Sequence, residues 1–196
     1  MFSFSIYFYY NQVKELNYIN MKTNVSIKKI VFTALFAALA FVATVVIHIH
    51  IPVPGSVGYV NLGDCMVLLS GIVLGPIYGG LAAGIGSALA DALYGYWIYV
   101  PATFVIKMLM AVVAYYIYIM LAKEKEGYKI LPLSAAGVVG EIVMVVGYLL
   151  YETVLYTFPT AVLGVVSNCM QGIAGIIVFV LITQVIKKTK LFTMLK

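Results

Sequence analysis

The chain is divided into apolar runs of about 20 residues, and a helix of that length, rising 1.5 Å per residue, matches the ~30 Å hydrocarbon core of a bilayer. Runs at 28–48, 101–122, 131–152 and 160–186 are continuous rather than alternating in character. Hydrocarbon offers backbone groups no hydrogen-bond partner, so only helical bundles and closed barrels span it, and continuous apolarity selects helices. Charged residues make up 10% of the chain and hydrophobic ones 64%, against about a quarter charged in a soluble domain. The sequence therefore specifies an all-α integral membrane protein.

One segment, 62–95, is too long for a single crossing. Gly75-Pro76 interrupts it with a helix end followed by a proline suited to a first helical turn, which predicts short spans at 62–75 and 76–95 and six transmembrane helices in all. Lysine placement agrees. With six spans, Lys22, Lys28 and Lys29, the 123–129 loop (Lys123, Lys125, Lys129) and Lys187, Lys188 and Lys190 all fall on one side. The positive-inside rule makes that side cytoplasmic, with both termini. Five spans would split these groups. The loops at 49–61, 96–100 and 153–159 become external, and none carries a lysine. The net charge of +5, from twelve lysines and no arginine, is thus a topology signal and does not call for a nucleic-acid partner.

Residues 25–190 form one membrane domain, and 1–24 read as an N-terminal extension without a basic leader or cleavage site. Met21 begins the more typical start "MKTNVSIKKIVF", which leaves either Met1 or Met21 as the initiator. Cys65 and Cys169 sit in apolar runs without metal or disulfide spacing and read as plain buried thiols. His48 and His50 lack further ligands, so they read as an ordinary loop entry and no metal is expected. In "GGLAAGIGSALAD" no strand precedes the glycines, and the rows 79/83/87 and 80/84/88 are Gly, Ala and Ser, which predicts close helix packing. No phosphate loop, HExxH or GxSxG is present, so the chain reads as a binder without its own motor or catalytic set, with no cofactor.

Ionisable groups inside a bilayer usually face a cavity or a partner. Asp64 lies at the outer start of the second span, Asp91 in the outer part of the third, and Lys107 about 9 Å below the outer start of the fourth. Glu141, Tyr148 and Glu152 share a stripe of the fifth helix, and Asn168 and Gln171 a face of the sixth. Tyr59, Asn61, Tyr94, Tyr96, Trp97 and Tyr99 surround the same outer region. An aromatic belt explains the "YGYWIY" cluster equally well, and Lys107 fits a structural ion pair with Asp91 or Glu152. Glu141, nearer the middle, fits a protonated, hydrogen-bonded carboxyl. The functional reading is a small-molecule pocket formed by Tyr59, Asn61, Asp91, Tyr96, Trp97, Lys107, Tyr148, Glu152 and Asn168. In it Asp91 partners Lys107, and Asp64 holds the first external loop by accepting backbone N–H bonds near a helix N-terminus.

Positions 58–107, "GYVNLGDCMVLLSGIVLGPIYGGLAAGIGSALADALYGYWIYVPATFVIK", resemble the signature region of the substrate-specific S components of energy-coupling factor (ECF) vitamin transporters. The likeness extends over about 25–188. It implies a binder, in a prokaryotic plasma membrane, for a vitamin or precursor that is captured from outside in a pocket formed by the later helices and closed by the first external loop. It also implies a membrane coupling subunit and two cytosolic ATPases, which use the ATP. The family's AxxxA docking surface is matched by Ala34 and Ala38 in "TALFAALA". A pyridoxine- or hydroxymethylpyrimidine-like ring is the first expectation for the ligand and riboflavin the second. Two other readings stand beside this one: a self-sufficient proton-coupled carrier relaying through Asp91, Lys107 and Glu141, and an intramembrane enzyme using the same carboxylates, for which no nucleophile or metal set is visible.

Overall fold

A computed structural model describes residues 27–50, 59–122 and 128–188. Helix α1 spans Ile27–Val46. It is followed by strands β1 (His48–His50) and β2 (Tyr59–Asn61), then by helices α2 (Gly63–Leu93), α3 (Val100–Leu121), α4 (Ile130–Leu155) and α5 (Phe158–Ile186). All five helices are long and apolar enough to cross a membrane. The 1–24 extension, the alternative starts, residues 51–58 of the expected 49–61 loop, and Lys22, Lys123, Lys125 and Lys190 lie outside the described residues.

The expected spans 62–75 and 76–95 are the two helical arms of α2, which is broken at Gly75. The break stands where it was expected. Gly75 takes φ 82° and ψ −179°, a left-handed backbone conformation open to glycine at little steric cost, and Pro76 starts the second arm with its φ already helical. The arms then fold back on each other. In an unbroken helix residues 70 and 79 would lie about 13 Å apart, yet Ser70 Oγ donates to the Gly79 carbonyl at 2.9 Å. A Cβ placed on Gly79 would stand 2.3 Å from the Ser70 carbonyl oxygen, so only glycine allows this contact. The small-residue rows predicted to pack closely do so: Gly80 meets Met108 and Val112 of α3, and Gly84 meets Phe104.

Helix α1 lies on the second arm through Ala37 and Ala40, which meet Gly86. At one end of the bundle the Tyr94 hydroxyl donates to the Val45 carbonyl at 2.9 Å. That end carries an antiparallel two-stranded ribbon pairing His48 with Asn61, Ile49 with Val60 and His50 with Tyr59. The ribbon replaces the plain loop expected around His48 and His50. The opposite end holds the Gly75 break and the ends of α3, α4 and α5. There Lys29 lies 5.6 Å from the Tyr78 ring centroid, Tyr118 stacks on Tyr128 at 5.7 Å and Gln184 donates to the Tyr128 carbonyl. The described lysines outside the helix interiors, namely Lys28, Lys29, Lys129, Lys187 and Lys188, all belong to this second end.

The core is a cluster of buried aliphatic side chains joined by Phe36 and Phe179. Large apolar side chains on the outward faces, such as Leu150, Ile173 and Val185, are exposed, as a lipid-facing bundle requires. Cys65 is buried and its thiol donates to the Leu62 carbonyl at 2.9 Å. Cys169, expected to be buried, instead lies on the outward face of α5, because at about 100° per residue it points about 100° away from Asn168 and about 160° away from Gln171.

Candidate functional site

A cavity whose space, open mouth included, amounts to roughly 650 Å³ opens toward the ribbon end. Its walls come from α1, β2, the second arm of α2, and α3 to α5. Seven of the nine expected pocket residues line it: Asn61 and Asp91, Tyr96 and Lys107, then Tyr148, Glu152 and Asn168. Trp97 does not. It is 70% exposed because the turn between α2 and α3 aims it outward, in keeping with the interfacial belt reading. The backbone of Tyr59 belongs to the ribbon, while its side chain lies outside what is described.

The inner edge is a buried polar relay. Lys107 Nζ, at the start of the third turn of α3, forms an ion pair with Asp64 Oδ1. Gln171 Nε2 donates to the other carboxylate oxygen, Asp64 Oδ2, at 2.5 Å. Gln171 Oε1 in turn accepts from the Asn61 backbone N–H at 3.2 Å and from Asn61 Nδ2 at 2.8 Å, and Asn61 Oδ1 accepts from the Gly63 N–H at 2.7 Å. Asp64, Lys107, Gln171 and Asn61 are each at most 5% exposed. In such surroundings a charge is tolerated only when paired and hydrogen-bonded.

This geometry changes two expectations. The ion pair formed by Lys107 is with Asp64, since both face the interior where α2 begins against α3. Asp64 does not accept from the backbone at the start of α2, where Leu62 occupies the cap position with no side-chain cap. It reaches the ribbon indirectly, through Gln171, and the residue that bonds the backbone there is Asn61.

Aromatic groups close the mouth. Tyr148 donates to or accepts from the Thr103 hydroxyl at 2.9 Å, and its ring centroid lies 5.7 Å from Lys107 Nζ. Above it the Tyr99 hydroxyl stands 3.4 Å from both Glu152 Oε1 and the Tyr156 hydroxyl. Burial, and next the Tyr156 hydroxyl, push the Tyr99 phenol up, so it stays a neutral donor facing the carboxylate. Tyr151 joins this lid by donating to the Ile98 carbonyl.

Thr44, Ser87, Tyr99, Thr103, Ser167 and Gln171 also line the cavity and were not assigned to it from sequence. Short hydroxyl residues within apolar helices read as packing residues; here Thr44 and Ser167 also donate to carbonyls of their own helices. Tyr99 and Gln171 carried a usable signal, since they share the region and the helix face of residues that were assigned. Ala34 and Ala38 are exposed on α1, whereas Phe36, Ala37 and Ala40 point inward. The two alanines thus form an outward ridge, remote from the cavity. Among the described residues no three His, Cys, Asp or Glu stand together as a metal cluster.

An uncharacterized protein in gap 3'region of Pyrococcus woesei is 38% identical over 130 residues, which cover 66% of this chain and 83% of that protein. A solved S component of a bacterial ECF transporter has a TM-score of 0.61 at 26% identity, covering 83% of this chain and 97% of the other. Residues 24–188 match the model of the S component of the ECF-type riboflavin transporter. With a helical bundle long enough to cross a membrane and a small-molecule cavity at one end, the chain belongs to the ECF-type riboflavin transporter S component family.

Proposed function

We propose that this chain is the subunit that captures a vitamin outside the plasma membrane of a prokaryote. It then delivers the ligand inward together with a coupling subunit and two cytosolic ATPases. The ribbon end faces outward, the lysine-bearing end faces the cytoplasm, and the two arms of α2 count as separate passes, making six. The observation that carries this reading is the cavity itself, whose polar relay and tyrosine mouth combine a few fixed hydrogen-bonding groups with ring-stacking surfaces. Such surfaces suit a flat heteroaromatic ring, and the hydroxyl and amide groups between them suit a polyhydroxylated chain. The family's description supports riboflavin over the smaller pyridine or pyrimidine that the polar residues first suggested. The exposed Ala34/Ala38 ridge gives the coupling subunit a surface that another helix can approach closely.

Mass spectrometry of small molecules retained through purification tests the substrate. Riboflavin at near-stoichiometric yield supports the proposal, and a non-flavin ligand overturns the substrate assignment. Uptake in vesicles containing this chain alone, driven by a proton gradient, would contradict dependence on an ATPase module.

A further inference from the structure

Glu141 lies beneath the cavity and does not line it. It projects from the middle of α4, is 5% exposed, and neither of its carboxylate oxygens has a hydrogen-bond partner among the described residues. Helix α5 makes room for it. A Cβ on Gly172 would stand 3.1 Å from Glu141 Oε2, and one on Gly175 would stand 3.0 Å from Oε1. The same Gly175 position is 3.0 Å from Asp64 Cβ, so Glu141 Oε1 and Asp64 Cβ are at most about 6 Å apart.

Two carboxylates therefore share one buried region with one ammonium, that of Lys107. The titratable groups around Glu141 are Asp64 and Cys65 of α2 and Lys107 of α3, and α5 presents glycines to it. Lys107 is already committed to Asp64, whose second oxygen is taken by Gln171. An ionised Glu141 would thus be a buried charge with no donor, a state that proteins avoid by neutralising the group. Two close carboxylates relieve their repulsion by sharing a single proton.

We propose that Glu141 is a proton-binding site under the ligand cavity: the Asp64–Glu141 pair holds one proton, seated on Glu141, while Asp64 keeps the charge that Lys107 balances. The group formed by Asp64, Glu141 and Lys107 then carries no net charge. The proton also remains in place when a ligand engages the cavity side of Lys107 or Gln171.

Infrared spectroscopy of the purified protein at neutral pH tests this directly. Wild-type protein should show a carboxylic-acid carbonyl band that shifts in D₂O and is lost in Glu141→Gln. That variant copies the neutral acid and should keep the wild-type melting temperature. Should it fail to fold, Glu141→Met removes the same band while filling a similar volume. An unchanged acid band in a folded variant overturns the proposal. The inference also fails if sodium chloride, compared with choline chloride, raises the melting temperature of the wild type but not of Glu141→Gln, because the site then takes a metal cation.

Discussion

Gln171→Met removes the centre of the polar relay while preserving side-chain length. Three bonds are lost: two from Asn61 to Gln171 Oε1 and one from Gln171 Nε2 to Asp64. Hydrogen bonds between membrane helices average about 0.6 kcal/mol each, which sums to about 2 kcal/mol. The bond to the Asp64 carboxylate belongs to the stronger class of about 1.5–3 kcal/mol, so the loss can approach 4 kcal/mol. Of the two bonds from Asn61, Asn61→Ala removes the Nδ2 bond and keeps the backbone N–H. A double-mutant cycle with Asn61→Ala should therefore show a coupling of about 0.6 kcal/mol. Reversible unfolding in mixed detergent micelles measures both quantities. A Gln171→Met protein of wild-type stability, or a coupling indistinguishable from zero, would refute the view that this relay fastens β2 to α5.

Three further outcomes follow from the same geometry. Gly86→Val places a Cβ 2.3 Å from the Ala37 carbonyl oxygen and should separate α1 from α2, destabilising the fold by about 1–3 kcal/mol as overpacking does; unchanged detergent unfolding contradicts it. Ala34→Trp, on the exposed ridge, should leave ligand affinity within about twofold while abolishing ATP-driven uptake in reconstituted vesicles, and lost binding would place the ridge inside the fold. The cavity wall holds Asp91 and Glu152, and the Lys107 charge is matched by Asp64. A phosphate ester adds a charge of about −1.5 to −2 near neutral pH, so phosphorylated vitamin should bind at least tenfold more weakly than the free form in competition assays.

Legibility in the sequence followed the range of the interactions. The apolar runs and the Gly75-Pro76 break are local signals, and the break stands where the residues put it. Its consequence was less visible: the arms fold back on each other because Gly79 admits the Ser70 carbonyl, a contact that hydropathy does not encode. Depth for Lys107 and helix faces for Tyr148 and Asn168 assigned these residues to the pocket, and all three line the cavity. Pairing was the weaker inference. Lys107 was matched with Asp91, yet Asp64, distant in sequence, is the carboxylate that the α2–α3 packing delivers to it. The Asn61–Gln171 bonds join residues 110 positions apart, and one sequence holds no trace of such a contact. Trp97 shared its composition with Tyr96, and the turn that separates their directions is set by Gly95, at φ 80°.

The central claim, that the cavity at the ribbon end holds a vitamin, is tested most directly by calorimetric titration of purified protein with riboflavin, comparing wild type with Lys107→Ala, Asn168→Ala and Trp97→Ala. Removing a buried hydrogen-bonding partner costs about 1–3 kcal/mol, more when it is charged, and each 1.4 kcal/mol is a factor of ten. Saturable one-to-one binding, weakened tenfold or more by Lys107→Ala and clearly by Asn168→Ala but unchanged by Trp97→Ala, is the predicted result. Binding that is absent, or that both cavity variants leave untouched in folded protein, would contradict it.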